Sequence, residues 1–165
     1  MVSYFYKDMN NQDKALLASK MYGVKYQTLE SWFRCLTDLR NRCAHYSRLY
    51  YWKFPALPKM PQKEKYIPTR RLFAQLYTLK LLYPDHEKWN EKFVKPLIKL
   101  MKKYDPYISK QHIDFPYRWK SMLTYKNAEK SCCIPANIMA GIQQIFEYNL
   151  KRRISTFGKF LFWYC

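Results

Sequence analysis

Glycine is almost absent from this chain, three residues in 165, and β-branched residues are few beside Leu, Lys, Tyr, Met and Gln. That balance favours helix over sheet, so the fold class read here is all-α. No glycine-rich phosphate loop, paired-carboxylate constellation or internal repeat is present. The five cysteines, Cys35, Cys43, Cys132, Cys133 and Cys165, are odd in number and contain no CxxC pair, so neither a disulfide framework nor a zinc site is indicated. The residues call for no metal and no small-molecule cofactor. No uninterrupted apolar run approaches the about eighteen residues of a membrane helix, and no signal peptide is visible. The default location is therefore a reducing cytoplasm.

Acidic residues are the other scarce class. Twelve Asp and Glu face thirty Lys and Arg, a formal charge of +18. Such an excess calls for an anionic partner, nucleic acid first and an anionic membrane second. Tyr and Phe interleaved with Lys can stack on unpaired bases. A Lys- and Tyr-rich composition is also what an AT-rich genome produces, so charge alone does not carry the assignment. With 48% apolar and 19% aromatic residues, the chain has the means to bury a core.

From Tyr26 to about Tyr50 there is neither Pro nor Gly, and Leu29, Trp32, Phe33, Leu36, Leu39, Cys43 and Tyr46 recur at the spacing of an amphipathic helix. At about 100° per residue, Leu29, Trp32, Leu36, Leu39, Cys43 and Tyr46 share a core face. Arg34, Asn41, His45 and Arg48 fall on the opposite stripe. Asn41 and His45, four apart, are neighbours on it. Arg40 lies at the edge of the apolar face, and its flexible stem can curl toward His45. An imidazole that moves protons near neutral pH, beside a guanidinium that neutralises a phosphorane, can cut a phosphodiester without a metal. The bland alternative is a solvated helix face carrying Arg, Asn and His by chance.

The run Leu29-Glu30-Ser31-Trp32-Phe33, followed by Leu39-Arg40-Asn41-Arg42-Cys43-Ala44-His45-Tyr46-Ser47-Arg48-Leu49, resembles the hallmark of the bacterial Abi-like proteins, the abortive-infection AbiD/AbiF group. Arg-Asn followed by His also resembles the Arg-x4-His signature of HEPN ribonucleases. The Abi resemblance extends from about Ser3 to Tyr125, with Ser3-Tyr4-Phe5-Tyr6 similar to the end of an upstream helix and Asp114-Phe115-Pro116-Tyr117-Arg118-Trp119 to a closing element. It implies a HEPN-like helical bundle with Arg40 and His45 as the catalytic pair and Asn41 orienting the imidazole or a phosphate. Tyr46 stands where the family commonly has a second His. One motif per chain implies a homodimer with a composite site. The resemblance also implies that Met1 is an internal methionine and that an upstream helical segment belongs to the relatives.

Elsewhere, Asn10-Asn11-Gln12-Asp13 can cap a helix to Tyr22, with Leu16, Leu17 and Met21 inward and Gly23 at its end. Tyr50 to Pro68 is a Pro/Lys-rich connector. Thr69 can cap the next helix, which ends before Pro84 and packs on the motif helix. Asp85 to Tyr104 is a further helix that Pro96 kinks or divides. His86 and His112 read as lone surface histidines. Trp119, Met122 and Leu123 make a last short helix. The expected organisation is a partial Abi-like/HEPN domain over 1–125 and an atypical extension over 126–165, with a helix from Asn137 to Leu150 and an aromatic run from Phe157 to Cys165.

Three functions compete. The first is an RNA-targeting phage-defence or toxin-type endoribonuclease using Arg40, Asn41 and His45, with Arg34, Arg48, Lys53, Arg70 and Arg71 as RNA-binding cations. The second is a non-catalytic protein that holds a structured or guide-like RNA through the same basic face. The third, a membrane-acting toxin that uses the aromatic tail, is disfavoured.

Overall fold

Helix starts and stops follow local chemistry. In the computed structural model, which describes residues 2–126, α1 (Val2–Asp8) is followed by α2 (Asn11–Tyr22). The Asn10 side chain accepts from the Asp13 N–H and caps α2, and Gly23, at φ +61°, ends it. Three helices follow the expected order: α3 (Tyr26–Ala44), α4 (Leu72–Leu82) and, after a cap by Asp85, α5 (His86–Trp89). A π-helical turn, Asn90–Val94, leads into α6 (Lys95–Tyr104), and a 3-10 turn, Lys110–Ile113, precedes α7 (Trp119–Leu123). The π turn sits just before Pro96, which lacks the N–H that would close a regular turn there. Among the described residues there is no strand, so the all-α reading holds. The tail from 127 onward, including the helix and aromatic run read in it, lies outside the described residues.

The bundle is organised around α4. Every residue from Leu72 to Leu79 is buried, which makes α4 a central helix covered on all sides, not one with a single apolar stripe. It packs on α3 and on α7. Its polar residues are accommodated: Thr78 Oγ1 donates to the Ala74 carbonyl, and Gln75 Nε2 to that of Ala56. One core gathers α4, α5, α6 and α7 with Leu39, Leu49 and Phe54. A smaller one joins Tyr6, Ala18, Leu29, Trp32, Phe33 and Leu82, and Leu36 and Leu81 pack against both. The chain end closes through Trp89 Nε1, which donates to the Leu123 carbonyl, and through the Asn90 amide, which pairs with both backbone groups of Tyr125.

Several sequence expectations need correction. Leu16 is exposed; α2 turns Met21 inward as expected, and with it Ala18 and the stem of Lys14, the Lys14 ammonium donating to the Lys7 carbonyl at the end of α1. Thr69 does not cap α4. Its hydroxyl donates to Asp114 and accepts from the Arg71 N–H, and Arg71 takes the cap position without a side-chain bond. The Pro/Lys-rich connector is fastened to the bundle. Trp32 Nε1 donates to the Lys59 carbonyl, the Lys59 N–H to Ser31 Oγ, and the Ala56 N–H to Asp38, so α3 straps it down along its length.

Candidate functional site

The motif helix is shorter than its periodicity suggests. α3 ends at Ala44, His45 takes the C-cap position at φ −90° and ψ 14°, and Tyr46 follows in the left-handed region at φ 53°. A tyrosine there is uncommon and stops the helix. The stripe Arg34, Asn41, His45, Arg48 is therefore broken: Arg34 and Asn41 stay on the helix, His45 lies at its end, and Arg48 belongs to the following loop. Tyr46, expected inward, is 62% exposed. Without the helical geometry there is nothing to turn it toward the core.

Arg40, Asn41 and His45 are all exposed. Arg40 Nη1 donates to Asn41 Oδ1 at 3.0 Å, so the guanidinium meets the amide beside it. No hydrogen bond joins Arg40 to His45 in the described residues. Their proximity comes from backbone alone, the His45 N–H donating to the Asn41 carbonyl at 2.9 Å. This end of α3 thus presents an unobstructed imidazole, a carboxamide and a guanidinium within one turn and a half.

Arg42, on the same last turn, has a different job. Its guanidinium carbon lies 3.3 Å from the centre of the Trp52 ring, and Nη2 donates to the Arg48 carbonyl. Burial holds its pKa below the ordinary guanidinium value, and its Nε has no hydrogen-bond partner.

The five RNA-binding candidates do not form one patch. Lys53, Arg70 and Arg71 come together with Thr69, Gln111 and Asp114 around a cleft of about 400 Å³; Arg34 and Arg48 lie outside it. The backbone sets this up, since the Phe54 N–H donates to the Arg70 carbonyl and fixes the connector's start against the entry to α4.

Beside the cleft lies a group that sequence reading missed. His112, taken as a lone surface residue, is half-buried, and both ring nitrogens are engaged: Nδ1 is 2.7 Å from the Tyr50 hydroxyl and Nε2 is 2.8 Å from that of Tyr51. The Tyr51 ring also stacks on the imidazole. Tyr50 Oη also accepts from the Ser109 N–H, so this hydroxyl ties the entry to the 3-10 turn as well as the imidazole. The partners are about sixty residues upstream, and the only local signal was the Tyr50-Tyr51 pair itself. His86, the other lone histidine, stacks on Tyr125.

Other titratable groups face inward. Burial pushes the Cys35 thiol up to about 12, with Asp38 adding to the rise, and pushes the Tyr6 hydroxyl up to about 12, with Glu30 and Tyr26 contributing. A thiol so raised is a packed side chain and a poor nucleophile. Among the described residues no group of three His, Cys, Asp or Glu side chains is placed to hold a metal ion, and no helix is long and apolar enough to cross a membrane.

Residues 1–51 match the family model described as Abi-like protein. The match spans α1 to α3 and runs through the Arg40–His45 segment to Tyr51, and it supports the Abi family. No curated protein and no solved structure matches the chain.

Proposed function

We propose that this chain is an RNA-targeting protein of the abortive-infection kind, a HEPN-type endoribonuclease that cuts RNA through Arg40, Asn41 and His45 and works as a homodimer. The observation that carries the reading is the exposed placement of all three side chains at the end of α3, within the stretch that the Abi-like family model matches. The formal charge of +18 supplies the attraction for an anionic polymer.

In the proposed reaction the ribose 2′-oxygen attacks the adjacent phosphorus and the bond from phosphorus to the 5′-oxygen breaks. The products are a cyclic phosphate and a free 5′-hydroxyl. One imidazole takes the 2′-hydroxyl proton and a second donates a proton to the leaving oxygen. Each chain has one His45, so two copies facing each other furnish both. Arg40, steadied by Asn41, neutralises the charge that grows on the non-bridging oxygens. The test is incubation of the purified chain with single-stranded RNA in chelator: ends bearing cyclic phosphate are expected, and activity that is unchanged in His45→Ala would overturn the assignment.

One observation favours a second reading, a protein that holds RNA without cutting it. The Arg40 guanidinium is turned to Asn41 and not to His45. In that case binding survives His45→Ala, weakens steeply with salt and is never accompanied by strand scission.

A further inference from the structure

The cleft at the entry to α4 has a charge and a shape that the Arg40–His45 segment does not use. Three cationic residues, Lys53, Arg70 and Arg71, line it with one carboxylate, Asp114. The positions of these groups are fixed from several sides. Arg71 Nη1 donates to the Tyr51 carbonyl, and Asp114 accepts from the Thr69 hydroxyl at 2.6 Å. By contrast, among the described residues no hydrogen bond or ion pair holds the side chains of Lys53 and Arg70, although Asp114 lines the same space. Two exposed cations are thus left without a protein partner at the wall of a concave site.

We infer that this cleft receives a phosphomonoester, the terminal phosphate of an RNA strand or of a free nucleotide. The lining carries a formal excess of two positive charges. A phosphomonoester carries about −1.5 to −2 near neutral pH, whereas a phosphodiester within a strand carries only one negative charge and leaves the cleft half neutralised. Guanidinium groups pair with phosphate oxygens through two parallel N–H donors, which suits the pair Arg70 and Arg71. Asp114 has an acceptor oxygen for a ribose hydroxyl, and the Gln111 amide offers both a donor and an acceptor. The cleft's volume lies within the range of small-molecule sites.

Tyr51 anchors one wall of the site: its carbonyl accepts from Arg71 Nη1, and its hydroxyl is hydrogen-bonded to His112 Nε2. Tyr51 holds a left-handed backbone at φ 62°, as does Asp114 at φ 57°. Two of the three non-glycine residues found there in the described structure thus belong to this corner of the molecule, and such conformations persist where surrounding contacts impose them.

The inference takes RNA or its nucleotides as the ligand from the proposed function, but it does not depend on cleavage at His45. The test is binding by the full chain to a single-stranded RNA with a terminal phosphate, against the same RNA with hydroxyl ends, and to adenosine monophosphate against adenosine. A preference of about tenfold or more for the phosphorylated member is expected in at least one pair. If only the RNA pair shows it, the source is a strand terminus; if only the nucleotide pair, a free nucleotide. The preference should vanish in the Lys53→Ala/Arg70→Ala variant, whose two side chains bear no structural bond, with circular dichroism confirming the fold. It should persist in His45→Ala, which separates this inference from the nuclease reading. Equal affinities within both pairs would overturn the inference, and so would a preference undiminished in the double variant.

Discussion

His45 and His112 invert each other. His45 sits in the most recognisable stretch of the sequence, yet in the fold its imidazole is exposed at a helix end and only its backbone is held. His112 sits in an unremarked stretch, yet its ring is clamped by two tyrosine hydroxyls and stacked against one of them. The one side chain is left accessible, and the other, built into the scaffold, is tied through both ring nitrogens. Recognition by local sequence and fixation by the fold are therefore different properties here.

The sharpest way to break this contrast is to remove each imidazole in turn. His45→Ala should reduce RNA cleavage by about a hundredfold or more, while the urea midpoint moves little, because an exposed side chain without bonds contributes within about 0.5 kcal/mol. Gel-resolved cleavage and urea titration of the same preparation decide it. A variant that loses stability in step with activity would show that His45 is structural after all.

Two buried groups, Cys35 on α3 and Tyr6 on α1, make the stability of the fold respond to alkali. Cys35 and Tyr6 have pKa values raised to about 12 from ordinary values of 9.0 and 10.0, chiefly by burial. Above pH 9 the unfolded chain releases these protons and the folded chain keeps them, so the unfolded state is favoured as pH rises. Stability should be fully present below about pH 9 and decline from there toward pH 12, by up to about 1.4 kcal/mol per pH unit for each group. Urea midpoints at pH 8 and pH 10.5 measure this, and Cys35→Ala should flatten part of the slope. A midpoint that does not move would show that the thiol and the hydroxyl are hydrated.

His112→Ala should cost about 1–3 kcal/mol, since it takes a partner from the buried Tyr50 hydroxyl, breaks the bond to Tyr51 and removes a stacking partner. Its effect on cleavage should be no larger than its effect on stability. If His112→Ala instead abolishes cleavage in a chain that unfolds normally, the clamp is part of the catalytic machinery and the contrast with His45 collapses.

Why one histidine was legible and the other was not follows from where the information lies. Helix periodicity, the Asn10 cap and the Gly23 stop are short-range signals, and the structure bears them out. The end of α3 was overestimated by several residues because nothing at Tyr46 resembles a helix breaker; the break is a left-handed tyrosine held by the following loop, with the Ser47 N–H returning to the Arg42 carbonyl. Thr69 was misassigned because its hydroxyl had a better partner in Asp114, forty-five residues away. The cationic cleft and the His112 clamp likewise require the connector, the entry to α4 and the 3-10 turn to meet, which no local pattern encodes.

The smallest expected effect concerns the link between the two histidines. Between them the chain passes through the loop that joins the end of α3 to Tyr50, Tyr51 and Trp52, and what fastens that loop to the helix is the guanidinium of Arg42, on the last turn of α3, against the Trp52 indole, 3.3 Å from the ring centre. Trp52 is only partly covered, so replacing it by Ala should cost about 0.5–1 kcal/mol. The indole, however, does more than attract a cation. It covers a guanidinium whose Nε has no partner, and it holds the loop that sets Lys53 at the cleft. Trp52→Ala should therefore loosen amide protection in residues 45–53 by hydrogen exchange while leaving α4 protected. Should exchange rise equally in α4, the loop and the central helix open together, and the exposed histidine would not be separable from the scaffold that the other one serves.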